Sequence, residues 1–185
     1  MVSIAIAPEL AGTYTLDATH SRIGFVARHA MVTKVRGSFN EFSGTAKIDT
    51  RNQQDSSVEL TIKVDSIDTR NADRDGHLRT NDFLDVANHP EITFRSTDVE
   101  ILADDSLKLT GDLTIKGVTR SVAIDFSFEG SAVDPFGNQR LGFEGSTVIN
   151  RKDYGITWNA ALETGGVLVS EKITLEFEIS LVKTA

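Results

Sequence analysis

The chain has 185 residues, 39% of them hydrophobic, a formal charge of -8 at pH 7 and no cysteine. That length suits one domain burying roughly 70% of its unfolded surface, and the lack of cysteine excludes disulfides and thiolate chemistry. The acidic balance, with no basic run, argues against a nucleic-acid partner. At the N-terminus the apolar run of Met1 to Ala7 ends at Pro8 and lacks a positive flank. Read this way it is no secretory signal, which places the protein in the cytoplasm with residues 1–12 as a flexible lead. No apolar segment approaches the roughly 20 residues that would span a bilayer as a helix.

From Gly12 the pattern is strand after strand. Ile23, Phe25 and Ala27 alternate with Arg22, Gly24 and Arg28, the period of a half-buried strand. Val35 to Phe39 and Phe42 to Ile48 continue it, with a change of phase near Asn40 that a bend or bulge would supply. Arg51 to Ser56 reads as a hairpin loop, and Val58, Leu60, Ile62 and Val64 form a clean strand against Glu59, Thr61, Lys63 and Asp65.

The stretch from Thr69 to Ser96 breaks the alternation. Asn71 is placed to cap a helix whose first turn carries Asp73 and Asp75, and Leu78, Phe83 and Leu84 supply an apolar side. Gly76 limits it to one or two turns, and His89-Pro90 returns the backbone to an extended form. Beyond it, Leu107 to Ile115 and Val122 to Phe128 alternate on either side of a turn at Gly117. Turns follow at Asp104-Asp105 and at 134–138, Asn150 to Trp158 is irregular, and 164–167 reads as a flexible crossing. Ile173 to Leu181 closes the chain as a final strand. No linker or repeat divides residues 13–183, so they form a single all-β domain. About eight evenly spaced strands must hide their edges, in a closed barrel or a sandwich.

Several motifs in order resemble one family. Tyr14-x-Leu16-Asp17-x-x-His20-Ser21 comes first, then Arg74-Asp75-x-His77-Leu78-Arg79 with Asp82-Phe83-Leu84-Asp85 and His89-Pro90-x-Ile92-x-Phe94-x-Ser96. Gly111-Asp112-Leu113-Thr114-Ile115-Lys116-Gly117-Val118-Thr119 and Asn150-Arg151-Lys152-Asp153-Tyr154-Gly155 complete the set. Together they resemble the YceI-like family of lipid-binding, lipocalin-like β-barrels over about residues 13 to 182. The resemblance implies an antiparallel up-and-down barrel of about eight strands, with the helical insertion (about 70–86) at one opening. It also implies a long apolar ligand of the polyisoprenoid kind in the lumen, stored or transported and not chemically changed.

The candidate lumen residues are Phe25, Phe39, Phe42, Ile62, Phe94, Leu109, Leu113, Phe126, Phe128, Phe143, Trp158 and Phe177. Each is equally an ordinary core residue, and alternation alone does not say which face of a barrel is inside. Arg74, His77 and Arg79 have two readings: ion pairs that pin the insertion, or contacts to a polar lipid head with Phe83 and Leu84 at the portal. The four histidines show no metal-binding spacing, so no metal or other cofactor is expected. No nucleophile motif accompanies a base, and Arg151 with Asp153 reads as a turn. Two alternatives to a carrier stay open: an enzyme acting on a lipid or small metabolite at the barrel mouth, and a filled barrel serving as a protein-interaction module. Exposed edge pairing or the rim would suit a homodimer.

Overall fold

A computed structural model describes residues 7–102, 105–160, 162 and 168–185. Asp104 and the crossing expected at 164–167 lie outside them, as do residues 1–6 of the expected N-terminal lead. Eleven β segments, β1 (Gly12–Leu16), β2 (Arg22–His29), β3 (Thr33–Phe39), β4 (Phe42–Ile48), β5 (Ser57–Lys63), β6 (Ile67–Asp68), β7 (Glu91–Ile101), β8 (Ser106–Ile115), β9 (Val118–Val133), β10 (Gln139–Asn150) and β11 (Lys172–Lys183), share one antiparallel sheet.

Three pairs of segments are single long strands broken by a crease. β1 pairs with β4 and β2 with β3, while β4 pairs with β5 and β3 with β6. Counted so, the barrel has eight strands, each bonded to its chain neighbour. β11 closes the ring on both halves of the first strand, through Tyr14↔Lys183 and Phe25↔Leu175. The crease passes between Phe39 and Phe42, which lie on either side of the phase change expected at Asn40. There the Asn40 N–H donates to Ser66 O at 3.1 Å and the Lys63 N–H to Glu41 O at 2.9 Å. Such bends let a twisted sheet curl until its ends meet, which leaves only a short unpaired edge at Thr33–Gly37 among the described residues.

Alternation then sorts the side chains. Leu60 and Ile62 of β5, Leu109 and Leu113 of β8, Ile124 of β9 and Phe177 of β11 are buried in one cluster, and burial of each such side chain contributes about 1.5–3 kcal/mol. The β8–β9 turn needs positive φ at both centres and has it, Lys116 at 51° and Gly117 at 77°. Helix α1 (Ala72–Leu78) starts as the sequence predicts, with the Asn71 side chain accepting the Arg74 N–H at 2.9 Å. It lies at the end of the barrel where β8 meets β9, called here the helix end. At the opposite end a 3-10 turn, Pro8–Leu10, buries Leu10, and the Tyr14 hydroxyl donates to Leu10 O at 2.7 Å.

A charged clamp also sits at that opposite end. Arg140 donates from Nη1 to Asp17 at 2.7 Å and from Nε to Asp134 at 2.8 Å, so it joins the β1–β2 crease to the β9–β10 turn. Arg140 holds the Asp17 carboxyl well below the usual carboxylate range, and the Asn138 N–H with Arg140 brings Asp134 down to about 2. Both folded values lie below the ordinary 3.8. The clamp therefore stabilises the fold above that pH, and the contribution is lost as pH falls from about 4 through 2 and, for Asp17, below it. Arg140→Gln is expected to lower the urea midpoint at neutral pH, with the gap to wild type shrinking through that acid window. A gap that stays constant with pH would contradict the clamp.

Candidate functional site: an apolar lumen with one plugged end

The barrel encloses a cavity of about 170 Å³. Of the residues expected in the lumen, Phe39, Ile62, Phe94, Leu109, Leu113, Phe126, Phe143 and Phe177 line it. Leu60, Ile92, Ile115, Ile124 and Ile179 join them. These aliphatic residues share the inward phase of their strands, and that phase was the signal available to find them. Polar lining comes chiefly from the β4–β5 connection, with Asp49, Thr50, Gln53 and Ser56, and from Lys47 and Glu59 on the strands that flank it. The mouth is thus at the end away from α1. Its rim is held by the Asp49 carboxylate, which accepts the Arg51 and Asn52 N–H groups at 3.0 and 2.9 Å and is drawn below its ordinary pKa by them, Asn52 foremost. Gln53 Oε1 accepts the Ile101 N–H at 3.2 Å.

Glycines set the width of this lumen. A Cβ at Gly37 would overlap the Phe25 ring, one at Gly111 the Phe94 ring and one at Gly145 the Phe126 ring. Each ring can therefore recline on the wall over a residue with no side chain, and does not stand in the interior. Phe25 also packs on Phe39, ring centroids 5.6 Å apart. Phe25 and Phe42 pack on the core cluster without lining the cavity. Phe128 belongs to a separate cluster with Leu10, Tyr14 and Leu141.

The helix end is plugged. His77, Phe83 and Trp158 form an aromatic trio, with centroids 5.0 Å apart for His77–Phe83, 4.8 Å for His77–Trp158 and 5.2 Å for Phe83–Trp158. His77 Nε2 lies 2.9 Å from Asp82 Oδ2. Leu84 packs against the same core. The structure places Phe83 and Leu84 in this plug, at the end opposite the polar mouth.

Arg74 and Arg79 are turned on their own chain. Arg74 donates from Nε to Thr69 Oγ1 and from Nη2 to Thr69 O, each at 2.7 Å, while Asp75 accepts the Thr69 N–H at 2.9 Å. Arg79 donates from Nη2 to Asp65 O at 3.1 Å and to Ile67 O at 3.2 Å, and its Nε lies 3.2 Å from the Asp65 carboxylate. Neither guanidinium lines the cavity.

A residue read from sequence only as part of a turn proves central to the plug. Arg151 is 3% exposed and donates to four main-chain carbonyls, Ile156, Trp158, Val169 and Ser170, at 2.8 to 3.2 Å. Burial lowers its pKa, opposed by Glu171. Tyr154 beside it is buried, which pushes its phenol up to about 12, and its hydroxyl has no hydrogen-bond partner among the described residues. Among the described residues no three acidic or histidine side chains converge as metal ligands would, and no helix is long and apolar enough to cross a membrane. This arrangement offers burial for an apolar chain, with polar contacts chiefly at the mouth.

Comparison with known proteins agrees with the motifs. A family model described as a YceI-like domain matches residues 14–181. A UPF0312 protein of Pectobacterium atrosepticum is 42% identical over 150 residues, covering 80% of this chain and 78% of that one. A Pseudomonas aeruginosa UPF0312 protein is 41% identical over 149 residues, with the same coverage. Among solved structures, the Campylobacter jejuni YCEI protein superposes with a TM-score of 0.74 at 28% identity, covering 85% of this chain and 90% of that one. Burkholderia cenocepacia BcnA gives 0.78 at 22% identity (89% and 98%), and a polyisoprenoid binding domain from Saccharophagus degradans gives 0.70 at 17% (92% and 98%). The last two are similar in fold.

Proposed function

The chain belongs to the YceI-like family, and from that premise we propose that it binds one long apolar lipid, of the isoprenoid class, inside the barrel, as a carrier or store that leaves the ligand chemically unchanged. The observation that carries this reading is the lumen itself, lined by Leu, Ile and Phe side chains along its length and by polar groups chiefly at the mouth. Burying apolar surface contributes about 25 cal/mol per Å², so a flexible hydrocarbon chain threaded past these side chains gains affinity from its whole length. The Saccharophagus degradans neighbour, described as a polyisoprenoid binding domain, supports the ligand class. The ligand's polar end is assigned to the mouth, where the Gln53 side-chain amide supplies a donor.

Mass spectrometry of the protein purified without detergent tests this, run under native conditions and again after organic extraction. One long-chain lipid per protein is the expected result. An empty protein that also refuses added isoprenoid alcohols and quinones would overturn the proposal.

A further inference from the structure

The β2–β3 hairpin carries a charge pattern unlike the rest of the chain. Residues 22–40 hold Arg22, Arg28, Lys34 and Arg36 and no acidic residue, in a protein whose net charge is -8. The register pairs Arg28 with Lys34 and Val26 with Arg36, so the three outer cations share one face while Phe25 and Ala27 take the other. Arg22 is paired with Glu176 at 3.5 Å. Among the described residues Arg28, Lys34 and Arg36 are in no ion pair.

The tip joining these strands is apolar and open to solvent, Met31 at 60% and Val32 at 75% exposure. It turns through positive φ at two residues that are not glycine, Ala30 at 50° and Met31 at 63°, a region L side chains adopt reluctantly. Edge protection accounts for Lys34 and Arg36, because Thr33–Gly37 has no second strand beside it among the described residues. It does not account for an exposed methionine and valine at the tip.

We propose that this hairpin docks the barrel on an anionic lipid bilayer, with Met31 and Val32 entering the headgroup boundary and Arg28, Lys34 and Arg36 meeting lipid phosphates. An exposed apolar tip with cations on one flanking face combines the two elements of interfacial binding, in which each mechanism alone is weak and the two together hold. Nucleic acid fits less well. The outer face of the hairpin has no aromatic side chain for base stacking, and the acidic remainder of the chain repels a long polyanion. Docked this way, the plugged helix end faces the bilayer and the mouth stays in solvent.

Sedimentation of the full chain with vesicles tests the inference, using phosphatidylcholine alone or with a third replaced by phosphatidylglycerol, at low and high salt. Binding to the anionic vesicles only, and release at high salt, are expected. The double variant Lys34→Glu/Arg36→Glu should bind at least about tenfold more weakly. Met31→Asn/Val32→Ser, whose asparagine tolerates the turn, should also weaken vesicle binding while leaving weak binding to soluble heparin unchanged. Unchanged Trp158 emission and melting would certify both variants as folded. Equal binding of either variant, no binding by wild type, or heparin capture stronger than vesicle capture would overturn the inference. Vesicle binding by a protein with an empty lumen would leave it standing while the proposed function fell.

Discussion

Replacing Arg151 with methionine is expected to destabilise the fold by about 3–5 kcal/mol, among the largest effects of any single substitution. The side chain fits in volume, but the main-chain carbonyls of Ile156, Trp158 and Ser170 lose the guanidinium and that of Val169 retains the Asn159 amide, in a buried or half-buried setting. An unpartnered buried carbonyl forfeits its solvation without compensation. Arg151→Lys should recover only part of the loss, because an ammonium presents its donors from one point where the guanidinium reaches two stretches of chain at once. The neighbouring Lys152–Glu171 pair, at 2.7 Å but half exposed, makes a control whose removal changes little. Urea midpoints measure the cost. Trp158, the chain's one tryptophan and part of the plug, reports in the same titration whether the loosening is local. An Arg151→Met protein with wild-type midpoint and emission would show that the carbonyls find other partners.

The strands were legible because each buries one face and wets the other. Period-two alternation in 107–115, 122–128 and 173–181 follows directly from that asymmetry. Closure was not legible this way. A sandwich has the same alternation, and the pairing of β11 with both β1 and β2 depends on contacts distant in sequence. The crease left one trace, the phase change between Phe39 and Phe42, while its other crossings fall in short 3-10 turns at Ala18–His20 and Val64–Ser66 that look like ordinary strand ends.

The candidate site divides similarly. Eight of the expected lumen residues were visible as large apolar side chains in phase with their strands, and they line the cavity. The mouth was not visible, because Asp49 to Ser56 reads as any polar hairpin loop. Arg74 and Arg79 allowed two readings, pins for the insertion or a head-group site, and the choice turned on partners that include the carbonyls of Thr69, Asp65 and Ile67, which leave no mark in sequence. The same blindness hid Arg151.

Gly145→Val is expected to close the lumen. Gly145 stands in β10 directly opposite Phe126 of β9 and Phe177 of β11, and those two rings lie 5.9 Å apart between centroids. A Cβ at 145 would overlap the Phe126 ring, so that ring has to leave the wall, and the open direction is the cavity of about 170 Å³ that Phe126 and Phe177 line. Overpacking of this kind costs about 1–3 kcal/mol of stability, but the larger effect falls on the ligand. A ring standing across the lumen displaces the segment of chain that would pass there, and a loss of about 1.4 kcal/mol of buried contact is already tenfold in affinity. We expect uptake of a long isoprenoid to fall by at least about that factor in Gly145→Val. The double variant Phe126→Ala/Gly145→Val, which removes the displaced ring, should regain it. Recovery separates obstruction from damage, because a variant that bound poorly through misfolding would not be rescued by deleting a further core side chain. If Gly145→Val retains the wild-type stoichiometry and affinity in a folded barrel, the ligand does not pass Phe126, and the lumen reading fails at that level of the barrel.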